Sequence, residues 1–89
     1  MPRIVFTANL RRHVDCPELD VSGSSVAEAL AAAFAVVPQV HGYVLDEQGE
    51  LRKHVAIYVD GRRITDRVRL TDPVGPASEV WILQALSGG

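Results

Sequence analysis

The apolar positions of this chain follow two periods. Over residues 3–8, Arg-Ile-Val-Phe-Thr-Ala, alternation puts Ile4, Phe6 and Ala8 on one face, which predicts a strand. Val14, Leu19 and Val21 extend a similar pattern over 13–21, but Pro17 interrupts it. That segment is therefore expected at a sheet edge, folded back on the first strand through a turn at 9–12. The period then changes: Val26, Leu30, Phe34 and Val37 recur at helical spacing and form one stripe, which Pro38 brings to an end. Ser25, with Glu28 three residues on, has the form of a capping box and sets the start of this helix. Residues 39–53 have no clear period, and Asp46-Glu47-Gln48-Gly49-Glu50 reads as a polar surface loop. Alternation returns over 54–59, where Val55, Ile57 and Val59 oppose Ala56 and Tyr58. Asp60-Gly61 then supplies a tight turn, and 62–65 a short returning strand. A loop marked by Pro73, Gly75 and Pro76 leads to a last strand over 79–83, with Val80 and Ile82 inward and Trp81 and Leu83 outward.

The order strand, strand, helix, strand, short strand, strand predicts an α+β fold, a mixed sheet of four to five strands packed on one helix. With the first and last strands paired in mid-sheet, Ile4, Phe6, Leu30, Phe34, Ile57, Val80 and Ile82 make one core. No repeat or linker divides the 89 residues, so a single domain over 1–89 is expected, closing in a tail at 84–89.

Charge and reactive side chains narrow the function by exclusion. A net charge of −2 argues against a nucleic-acid binder. The arginines at 62, 63, 67 and 69 alternate with Asp60, Asp66 and Asp72, as on a mixed solvated face. The lone cysteine, Cys16, has no internal partner for a disulfide, which suits a reducing, cytoplasmic setting. Its acidic neighbours Asp15 and Glu18 disfavour a thiolate nucleophile. His13, His41 and His54 lack metal-ligand spacing, the serines lack a nucleophile elbow, and the glycines are too dispersed for a phosphate-binding loop. No export signal or membrane span is read at the start of the chain. The expectation is a protein that is not an enzyme and binds no metal, nucleic acid or membrane.

Two features remain that could carry a function. The sequence closes on Gly88-Gly89. With glycine at about 7% of average usage, a closing pair is expected by chance in roughly 0.5% of chains. Glycine has no Cβ to block a narrow channel, and the six residues after Leu83 reach about 20 Å when extended. The second feature is the outward set Tyr58, Trp81 and Leu83, expected to form one patch on the sheet face opposite the helix. The alternative is that residues 39–53 cover them as ordinary core.

Thr7-Ala8-Asn9-Leu10-Arg11 after the first strand, the run His54-Val55-Ala56-Ile57-Tyr58-Val59-Asp60-Gly61, and Val80-Trp81-Ile82-Leu83 leading to Gly88-Gly89 together resemble the ubiquitin-like β-grasp sulfur carriers of the MoaD/ThiS family. That family includes the small subunit of molybdopterin synthase and the carriers of thiamine and cysteine biosynthesis. The resemblance implies a carrier with no catalytic residues of its own. An E1-like adenylating enzyme of the MoeB/ThiF type would use ATP and magnesium to adenylate the Gly89 carboxylate. The resulting thiocarboxylate would donate sulfur to a partner synthase. Gly88 would let the tail thread, and Leu86 would anchor it, beside docking by Tyr58, Trp81 and Leu83. Two other classes share the fold: a ubiquitin-like modifier joined to lysines, and an interaction domain whose glycines are idle.

Overall fold

The computed structural model describes residues 1–7 and 18–84. Strands β1 (Arg3–Phe6) and β5 (Glu79–Gln84) run parallel in the middle of a five-stranded sheet. Strand β2 (Glu18–Asp20) pairs antiparallel with β1 at one edge, and β3 (Val55–Val59) antiparallel with β5. Strand β4 (Arg62–Arg63) closes the other edge, giving the order β2-β1-β5-β3-β4. The expected mixed sheet is thus present with five strands.

The inner face carries Ile4, Phe6, Val55, Ile57, Val80 and Ile82, none more than 1% exposed. Helix α1 (Val26–Val36) lies on it through Val26, Ala29, Leu30 and Ala33. Phe34 departs from the expected core: it is only partly buried against the cluster. At 3.6 residues per turn it sits about 80° around the helix from Val26, whereas Ala33 is about 20° away. Alanines thus occupy the stripe's middle, and Phe34 moves to its flank, its ring edge-on to His41 at 4.7 Å.

The helix start is capped twice. Ser25 Oγ accepts the Glu28 amide at 3.2 Å, as a capping box requires. The return contact differs from expectation, because Glu28 Oε1 accepts from the amide and hydroxyl of Ser24, at 2.9 and 3.1 Å, instead of from Ser25. The amides of Val26 and Ala27 donate to the carbonyls of Asp72 and Leu70, each at 2.9 Å, so the segment before β5 satisfies first-turn donors that the helix cannot. Gly23 is required just upstream: its φ is +151°, and a Cβ there would lie 2.8 Å from the Ala29 nitrogen.

Residues 39–53 hold helix that their pattern did not reveal. A 3-10 turn (Pro38–Val40) runs into the single-turn helix α2 (His41–Val44), placing Val40 and Val44 in the core. Four-residue pieces are too short to display a period. Asp46 to Glu50 form the expected polar loop, in which the Asp46 carboxylate accepts the amides of Gln48 and Glu50. Since Val40, Val44 and Leu51 join the cluster of Leu30 and Ile57, this segment packs on the helix side of the sheet. No helix among the described residues is long and apolar enough to cross a membrane.

Candidate docking face of the sheet

Asp60 and Gly61 join β3 to β4 with φ of 51° and 83°, the paired positive values of a type I′ turn. Asp60 also ties this hairpin to β5: its amide donates to the Glu79 carbonyl and its carboxylate accepts the Glu79 amide, both at 2.9 Å. The returning strand is shorter than the expected 62–65 because the Asp72 carboxylate takes the Thr65 amide and hydroxyl. Ile64 turns into the core.

This pairing sets the residues of the face away from α1. Tyr58 opposes Trp81 across β3 and β5, Trp81 opposes Val5, and Ala56 opposes Leu83. Trp81 is 39% exposed at the centre of the sheet, while Tyr58 and Leu83 are half-buried. The indole Nε1 donates to Glu79 Oε1 at 3.3 Å, which holds the ring along its own strand. Tyr58, Gly61, Trp81 and Leu83 line a shallow open pocket of about 230 Å³. Such a pocket can take a large apolar side chain from a partner. Gly61 was absent from the sequence-based set, although its place in the turn beside Tyr58 was already fixed by the Asp-Gly pair.

The rim is charged, and the charge is uneven. At the β2 edge, Arg3 pairs with Glu18 at 3.4 Å and Asp20 at 3.2 Å, both exposed contacts. Arg63 stands beside Tyr58 at the β4 edge, placed there by the register Tyr58↔Arg63. None of the arginines and aspartates of 60–72 is buried, in keeping with a mixed solvated face. The aspartates bind backbone: Asp66 accepts the hydroxyl of Thr71 at 2.6 Å and the amides of Arg69 and Val68, which hold its carboxyl down to about 2. Asp72 is likewise lowered, by the amides of Thr65 and Asp66. Arg67 turns inward and donates to the Arg52 carbonyl at 3.0 Å.

His41 is exposed and His54 half-buried, and among the described residues no three His, Cys, Asp or Glu side chains gather as metal ligands. Leu86, Gly88 and Gly89 lie outside the described residues, as do Cys16, Arg11, Arg12 and His13.

No protein-family model and no curated protein matches the sequence. Solved structures do match over nearly the full chain. The small archaeal modifier protein SAMP1 from Methanosarcina acetivorans is 28% identical with a TM-score of 0.82, over 99% of this chain and 95% of that one. SAMP1 from Haloferax volcanii is 23% identical at 0.83, over 99% and 98%. The Amycolatopsis orientalis BexX/CysO complex contains a chain 19% identical at 0.85, with both chains covered completely. The fold is the ubiquitin-like β-grasp, and these neighbours are small β-grasp proteins of the carrier and modifier type.

Proposed function

We propose that this chain is a carrier activated at its C-terminal carboxylate. An E1-like enzyme, using ATP and magnesium, transfers AMP to the Gly89 carboxylate with release of pyrophosphate. Hydrosulfide or its enzyme-bound equivalent then attacks the acyl carbon, AMP leaves, and a thiocarboxylate remains for a sulfur-accepting synthase. The carrier supplies no acid or base to these steps. Its part is to dock and to present a tail narrow enough to enter the partner's site. One observation carries the reading: the central strand β5 holds Trp81 and Leu83 in the open pocket and leads, five residues after Gln84, to Gly88-Gly89 in the sequence. Docking surface and reacting end thus belong to one continuous segment. A cytoplasmic setting follows from this chemistry, which needs ATP and reduced sulfur.

The likeness to SAMP1, a modifier by name, favours a second reading in which activated Gly89 is joined to a lysine amine. Lys53 is the only lysine in the sequence and is exposed, so any self-conjugation runs through it. Incubation with an E1-like enzyme, ATP and sulfide, followed by intact mass, tests the first reading. Recovery of lysine-linked adducts from host lysate, absent without Gly89, supports the second.

A further inference from the structure

We propose that Lys53 is an acceptor built into this chain for its own activated end: where sulfide does not take the adenylated Gly89, the Lys53 amine does, closing an isopeptide ring within one molecule. This rests on activation at Gly89 as proposed above. Lys53 is the only lysine in the sequence, so a side-chain amine has a single address.

The register of the sheet brings that address to the tail. Val55 opposes Gln84 where β3 begins and β5 ends, and the Cα atoms of such a pair lie about 5 Å apart. Lys53 is two residues before Val55, at most about 7 Å further on. Its Cα therefore lies within about 12 Å of Gln84, at the end of the sheet toward which β5 runs. The five residues 85–89 have a contour length of about 17 Å, which covers that distance with chain to spare. An amine at the start of the chain is placed differently. Strand β1 runs parallel to β5 with Arg3 opposite Glu79, so the first residues lie at the other end of the sheet. Gln84 is five residues, or about 17 Å, beyond Glu79, and a tail turned straight back would be used up in reaching that level.

A braced turn presents the lysine. The Val55 amide donates to the Arg52 carbonyl at 3.0 Å, which leaves Lys53 and His54 as the central residues of a turn. Arg67 Nη2 donates to the same carbonyl at 3.0 Å. Arg52 is held in turn, its Nε donating to the Gly42 carbonyl at 2.7 Å and its amide to the Val44 carbonyl at 3.0 Å. Lys53 itself is exposed and forms no ion pair among the described residues.

The step needs no reagent beyond those of activation. The unprotonated Lys53 nitrogen attacks the acyl carbon of the Gly89 adenylate, the C–O electron pair leaves with AMP, and the nitrogen releases a proton to water. A group on a short tether is presented at on the order of millimolar effective concentration, so at micromolar protein closure within a chain outruns conjugation between copies. A closed chain has no free terminal carboxylate and carries no sulfur.

The test incubates the full chain with an E1-like adenylating enzyme, ATP and magnesium, with sulfide present or omitted. Without sulfide, intact mass is expected to show one chain less one water, in a yield independent of protein concentration. Trypsin is expected to release peptide 53–62 joined to peptide 70–89. Sulfide suppresses the ring in favour of the thiocarboxylate. Lys53→Arg abolishes the loss of water while ATP–pyrophosphate exchange continues at the parent rate. Exchange without loss of water overturns the proposal and leaves activation at Gly89 standing, whereas absence of exchange overturns both. Loss of water that persists in Lys53→Arg, or adducts of two chains alone, also overturns it.

Discussion

Carboxylates near the turns of this protein act on backbone amides more than on arginines, and that choice governs how acid affects it. Asp66 receives the Thr71 hydroxyl and two amides, so its folded value of about 2 lies below the roughly 3.9 of an unfolded aspartate. A depressed value means the contribution is complete above the unfolded value and fades as pH falls from about 4 through 2. Asp72 and Glu28 shift in the same direction and add to the same acid limb. Thermal unfolding followed between pH 2 and 7 is expected to show this decline, and Asp66→Asn to make it shallower; an unchanged acid limb would contradict the assignment. In the core, Ile57 is 0% exposed beneath α1, and Ile57→Ala is expected to cost about 2–5 kcal/mol by urea unfolding.

At the level of elements, the start of α1 is held from outside by the carbonyls of Leu70 and Asp72 and from below by the close approach of Gly23 to Ala29. Gly23→Ala forces a Cβ against the helix backbone at a φ that L-residues rarely adopt, and is expected to lower stability by about 1–3 kcal/mol in urea unfolding. Stability equal to the parent would show that the loop relaxes freely. Strands β1, β3 and β5, helix α1 and the Asp60-Gly61 turn were all legible in the sequence, because each carries its period or turn chemistry over enough residues to be seen. Helix α2 was not, since one turn displays no period. Phe34 was misplaced because three large residues at helical spacing outweighed the alanines between them, although the angular centre of the buried stripe falls on Ala33. The alternation that put Tyr58, Trp81 and Leu83 outward also placed them together, since the registers of β3 and β5 bring the same faces side by side. Arg63 escaped notice at that face because Arg62 beside it is equally charged, and only the turn geometry tells which of the two adjacent arginines stands beside Tyr58.

At the scale of the whole molecule, the proposed carrier role needs both the sheet face around Trp81 and the Gly89 carboxylate. Trp81→Ala should leave the circular dichroism unchanged while lowering kcat/KM for ATP-dependent activation by an E1-like enzyme about ten- to a hundredfold, the loss expected of an anchor at the centre of an interface. Activation at the parent rate would remove the docking role from this face. The most direct test of the central claim is the intact mass of the protein isolated from its native host and of protein treated with an E1-like enzyme, ATP and a sulfide source. The expected result is a gain equal to replacing one oxygen by sulfur, absent when Gly89 is deleted. An unchanged mass beside a competent enzyme, with no lysine-linked adducts in the host, would contradict activation at Gly89.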